Sequence, residues 1–134
     1  MRLFDDVTFE TVHKYRLDEC ECDSSIISCQ FDGDPAEYYV VGTAFALPEE
    51  VEPSRGRILV LKAEEGRLTL VAEKETKGAV YNLNSFNGKL LAGINSKVQL
   101  FKWVARGATG GGGGGAGAGP HRRCSPRYRM DVSQ

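Results

Sequence analysis

The stretch GAVYNLNSFNGKLLAGINSKVQLFKW, residues 78–103, decides the fold. Asn87-Gly88 stands between two apolar runs, and a type I′ hairpin turn needs φ > 0 at both central positions, which Asn and Gly tolerate. The dipeptide predicts a hairpin between strands Ala79–Phe86 and Lys89–Ile94. Asn95-Ser96 then turns the chain into a third strand, Lys97–Trp103.

Working outward toward the N-terminus, the same grammar repeats. Val7–Leu17, Ser24–Phe31 and Glu37–Leu47 are rich in β-branched and aromatic residues and predict strands. The turn Asp32-Gly33-Asp34-Pro35 separates the last two, and a proline-containing loop, residues 48–56, follows. Arg57–Lys62 and Arg67–Glu73 form a further hairpin around Gly66. No segment carries a 3.6-residue apolar stripe over three turns, so the body is all-β.

The faces of these strands narrow the architecture. Arg67–Ala72 alternates, with Leu68, Leu70 and Ala72 on one side, as in a strand wet on the other side. Ile58-Leu59-Val60-Leu61 and Leu90-Leu91-Ala92 are apolar at consecutive positions, so both of their faces must be covered. Stacked antiparallel four-stranded sheets, the WD40-like blades of a β-propeller, produce both patterns. A blade takes about 40–50 residues. Residues 1–103 therefore amount to a partial propeller of about two blades.

Beyond Trp103 the composition changes. Residues 1–103 carry 12 Lys and Arg against 17 Asp and Glu, whereas residues 104–134 carry five Arg against Asp131 alone. Nine of the 16 glycines fall between Gly107 and Gly119. Residues 104–134 are expected to be a disordered Gly/Arg-rich tail. Arg residues beside Tyr128 suit weak contact with RNA or phosphates, but a single Arg-Gly dipeptide makes a poor RGG segment. The acidic body argues against strong binding to a phosphate backbone, which draws its affinity from Lys and Arg.

Several functions find no support in the sequence. There is no phosphate-binding loop, dinucleotide fingerprint or Ser/His/Asp arrangement, and His13 and His121 have no visible catalytic partners. The Cys20/Cys22 pair is too closely spaced for a zinc knuckle, so free thiols are expected and neither a metal nor another cofactor is predicted. Glu49, Glu50 and Glu52 form an acidic loop flanked by prolines, read as solvated surface. The acidic N-terminus lacks a signal-peptide core, and no run reaches the roughly 18–20 apolar residues of a membrane span. A nuclear and cytosolic non-enzyme without membrane or small-molecule partner is the expectation.

Three stretches carry a resemblance: YYVVGTAFALPEE (38–50), EPSRGRILVL (52–61) and AEKETKGAVYNLNSFNGKLLAGINSKVQLFKW (72–103). Together they resemble the family of the large subunit of the damaged-DNA-binding protein, an adaptor of cullin-RING ubiquitin ligases built from three β-propellers. The large subunit of the cleavage and polyadenylation factor and a spliceosomal subunit share its architecture and match more loosely. The resemblance implies a fragment of the C-terminal propeller, and the abrupt change after Trp103 suggests a truncated form whose tail has no counterpart in the family. It also implies an adaptor role in DNA repair and protein ubiquitination, in which a receptor inserts a helical segment into a propeller cleft. The positions that match the receptor-facing surface are Ala44, Glu50, Ala79 and Tyr81. On the residues alone, Tyr81 reads as inter-blade packing ahead of an aromatic contact at a groove rim. A scaffold for RNA processing, with nucleic-acid binding, is the alternative function.

Overall fold

Four consecutive apolar residues, Ile58, Leu59, Val60 and Leu61, are completely buried, and the rest of the architecture follows from covering both sides of them. The computed structural model describes residues 1–5, 7–8, 10–105 and 128–133. Among these, no helix occurs, and the strands are β1 (Arg2–Phe4), β2 (Thr11–Lys14), β3 (Glu21–Gln30), β4 (Glu37–Phe45), β5 (Gly56–Glu64), β6 (Arg67–Thr76), β7 (Val80–Phe86), β8 (Lys89–Ile94), β9 (Lys97–Ala105) and β10 (Tyr128–Val132). They form two antiparallel four-stranded sheets, β3-β4-β5-β6 and β7-β8-β9-β10, and a short β1-β2 pair. The fold is all-β and blade-like, as the strand grammar predicts.

Successive side chains of β5 point to opposite faces of the first sheet. Ile58 and Val60 enter the main core, which joins the two sheets through Val40, Val80, Leu83, Leu90, Ala92, Phe101 and Trp103. Leu59 and Leu61 enter a second cluster with Val41, covered by Met1, Tyr15 and Leu17 from the N-terminal segment. Completely burying each such side chain contributes roughly 1.5–3 kcal/mol. The middle strands of the first sheet are therefore covered on both sides, although Ile26 of β3 stays exposed on the side of the second cluster. The second sheet has its core on one side only.

A latch between the sheets lies where β3 turns into β4. Asp34, itself buried, accepts hydrogen bonds from the Tyr38 hydroxyl (2.6 Å), the Trp103 indole N–H (3.0 Å) and the Ala36 amide (3.0 Å). Phe31 stacks on Trp103 with ring centroids 4.7 Å apart. Burial pushes the Asp34 carboxyl up, but the three donors outweigh it and hold the group below the usual carboxylate range.

The turns behave as their residues predict. Asn87 and Gly88 adopt φ of 47° and 74°, and Glu65-Gly66 closes the β5–β6 hairpin with φ of 50° and 73°. Four expectations are revised. Val7–Leu17 is not one strand, because the Asp5 carboxylate accepts from the amides of Val7 and Thr8, both at 2.9 Å, and bends the chain between β1 and β2. β3 begins at Glu21 rather than Ser24. Leu70 does not share a face with Ala72, because the register shifts between Val60 and Leu61: Ala72 pairs with Val60 and Leu70 with Leu61, leaving Val71 as the extra residue of a bulge. Val71 and Ala72 consequently join the main core and Leu70 the second cluster.

The fourth revision concerns the tail. The second sheet does not stop at Trp103: β9 continues to Ala105, and β10 pairs with it from Tyr128↔Ala105 to Val132↔Phe101. Met130 is buried in the main core. The glycine run and the remainder of 106–127, expected to be disordered, lie outside the described residues.

Candidate partner interface

The sheets approach closely where β4 meets the start of β7, and missing side chains allow it. A Cβ on Gly42 would lie 2.6 Å from Val80 Cγ1 and 2.8 Å from the Val80 carbonyl oxygen. On Gly56 it would lie 2.4 Å from the carbonyl oxygens of both Gly78 and Thr43. Neither distance is tolerable for a real side chain, so glycine at these positions sets the spacing. The Ser24 hydroxyl sits 2.5 Å from the Val80 carbonyl oxygen and 3.2 Å from that of Gly42, tying β3, β4 and β7 together.

Asn95 organises the neighbouring loops. Its side chain accepts from the Ala79 amide (2.8 Å) and donates to the Pro53 carbonyl (2.9 Å), while its own amide donates to the Ala79 carbonyl (2.9 Å). Asn95 adopts φ of 51°, a conformation Asn accepts more readily than most residues. The sequence marks it as a turn residue, but nothing local reveals that it bridges to residue 53. The only available signal was an Asn where a tight turn needs a left-handed residue.

A charged network stiffens the first sheet at this end. Arg57 pairs with Glu21, whose side chain is wholly inaccessible, and with Glu73 at 3.0 Å. The Thr43 hydroxyl donates to Glu21 at 2.6 Å. Burial raises the Glu21 carboxyl, yet hydrogen bonds from Arg57 and Thr43 more than offset this and leave it below its ordinary range. The same pairing pushes the Arg57 guanidinium up, so it stays charged. Arg55 stacks over the Phe45 ring at 4.5 Å and pairs with Glu75 at 2.6 Å.

All four sequence-selected positions lie at this end, but they present themselves differently. Ala44 is buried in β4 opposite Cys22, whose thiol is 3.5 Å from the Ala44 carbonyl oxygen. Ala79 is completely buried, with its amide and carbonyl both engaged by Asn95. Glu50 folds back within its loop, its carboxylate accepting the Ser54 hydroxyl at 2.5 Å. Tyr81 differs from the rest: it occupies the irregular step between Val80 and Asn82 in β7 and is 49% exposed. Tyr81 thus supplies an accessible aromatic side chain, while both alanines are buried. Among the described residues, no group of three or more His, Cys, Asp and Glu could hold a metal ion. No helix among them is long and apolar enough to cross a membrane.

Comparison with known proteins agrees with this architecture. The family model described as the CPSF A subunit region matches residues 1–109. The chain is 59% identical over 121 residues to DNA damage-binding protein 1 of Solanum lycopersicum, covering 90% of this chain and 11% of that protein. It is 62% identical over 106 residues to DNA damage-binding protein 1a of Arabidopsis thaliana and to DNA damage-binding protein 1 of Oryza sativa subsp. japonica, covering 79% of this chain and 10% of each relative. The chain spans about a tenth of the length of these relatives. With its blade-like sheets and a match over residues 1–109, the chain belongs to the CPSF A subunit region family.

Proposed function

We propose that this chain is a protein–protein interaction module of an adaptor that acts in DNA damage repair and protein ubiquitination, with no catalysis of its own. It is the counterpart of part of a C-terminal propeller, and it works in the nucleus and cytoplasm as a rigid surface that receives a helical segment of a substrate receptor. The observation that carries this reading is the half-exposed Tyr81 on a backbone fixed by Ser24, Asn95 and close glycine contacts. An aromatic on a rigid support offers contact area at low entropic cost. Ala44, Ala79 and Glu50 are the other positions of this proposed surface, the two alanines acting from within the packed backbone.

Pull-down of the chain by an immobilised receptor helix tests the proposal. Tyr81→Ala is expected to weaken capture by about 2 kcal/mol, roughly thirtyfold. Equal capture of both proteins removes Tyr81 from the interface. A role as an RNA-processing scaffold is the second reading, favoured by the description of the matching family model. Under that reading, RNA binding exceeds receptor-helix binding and weakens steeply with salt.

A further inference from the structure

The strand β6 sorts its charges by face. In Glu73-Lys74-Glu75-Thr76-Lys77, alternation sends Glu73 and Glu75 to one side, where they pair with Arg57 and Arg55. Lys74, opposite Ile58, points to the other side, toward the second sheet. There it lines a groove of about 580 Å³ together with Lys77 and with Lys97 at the head of β9. Ile94 and Phe101, both buried, also line it. Two carboxylates stand on the rim, but Glu75 is held by Arg55 at 2.6 Å, so Glu52 alone opposes three lysines. Among the described residues none of the three lysines has an ion-pair partner.

Two of the polar groups between the lysines, Thr76 and Asn95, are already committed. The buried Thr76 hydroxyl donates to the Gly78 carbonyl at 2.8 Å, and the Asn95 amide group is spent on Pro53 and Ala79. The unmet capacity of the groove is therefore cationic at Lys74, Lys77 and Lys97, polar at Ser96 and Gln99, and apolar at Val132, which is 46% exposed. Its volume falls in the roughly 300–1,000 Å³ range of ligand sites.

We propose that this groove binds an extended acidic segment of a partner protein, with carboxylates on alternate residues set against Lys74, Lys77 and Lys97 and apolar side chains directed toward Val132. An extended chain presents the two kinds of side chain with period two. A long polyanion suits the groove less well, because residues 1–103 carry five more acidic than basic side chains and repel it as a whole. A short segment feels mainly the lysines within a screening length of about 8–10 Å. The groove adjoins the Tyr81 surface through Asn95, but Tyr81 itself does not line it.

The test uses the full chain and a fluorescein-labelled octapeptide of alternating Glu and Leu, read by fluorescence anisotropy. Binding is expected to weaken with salt and to fall at least about tenfold in the double variant Lys77→Glu/Lys97→Glu. Both sites are exposed, and an unchanged thermal transition confirms that the variant folds. Tyr81→Ala is expected to leave peptide affinity unchanged, which separates failure of this groove from failure of the receptor-helix surface. The proposal is overturned if the native chain does not bind the peptide, if the double variant binds equally well, or if Tyr81→Ala abolishes binding. Equal binding of the matching Lys-Leu peptide, or tighter binding of a single-stranded oligonucleotide of equal charge, overturns it too.

Discussion

Asp34 concentrates several interactions in one side chain. It collects three donors from two sheets in a buried setting, so Asp34→Ala removes a shared acceptor as well as a charge. A loss of about 2–4 kcal/mol in urea unfolding is expected. Asn at this position keeps one acceptor oxygen and is expected to cost less. Glu21 and Asp34 both have lowered carboxyl values in the folded chain. Their stabilisation is complete above the unfolded values, near 4.5 and 3.8, and is lost as pH falls through the lower folded values. The melting temperature should therefore drop on acidification below about pH 4.5, and Glu21→Gln should flatten that limb of the profile. Thiol chemistry gives an independent check. Cys20 and Cys22 are exposed, whereas burial, with Glu37 nearby, pushes Cys29 up to about 11. Iodoacetamide at mildly alkaline pH is expected to label the first two and to reach Cys29 only on unfolding.

At the scale of elements, the hairpins were the most legible part of the sequence, because their signal is local. Asn87-Gly88 specifies its turn whatever surrounds it, and Lys89–Ile94 has the boundaries its flanking turns suggest. Long-range choices were hidden. The bulge at Val71 reassigns Leu70 to the opposite cluster, and no residue type announces it, since Val is an ordinary strand residue. Nor does YRMDV look distinctive beside a glycine run, although Met130 fills a place beside Phe101 and Trp103. The candidate site was partly legible: Tyr81 was selected and is accessible, but burial of Ala44 and Ala79 depends on the approach of β4 to β7. That approach can be tested directly. Gly42→Ala places a methyl against Val80 and is expected to cost about 1–3 kcal/mol. Gly56→Ala meets two backbone carbonyls that cannot rotate away, so its loss in unfolding free energy should be larger.

At the scale of the molecule, the two sheets are unequally finished. The outer side of the second sheet, away from the core, presents Val98, 70% exposed, beside the half-buried Leu91, Leu100 and Val104. An apolar stripe of this kind favours association. Sedimentation is expected to show concentration-dependent self-association of this chain, reduced by Val98→Lys, and a monomer at all concentrations contradicts it. The Asp34 latch bears on how such a chain comes apart. Its acceptor belongs to the first sheet and its indole donor to the second, so opening the interface strips the carboxylate of a partner at once. Peeling off one sheet also bares the main core shared by both. Partly opened forms are thus penalised twice, which couples the sheets into one cooperative unit. Amide protons of β4, β5 and β8 should then exchange with a common opening free energy, as a pair of hairpins folded independently would not.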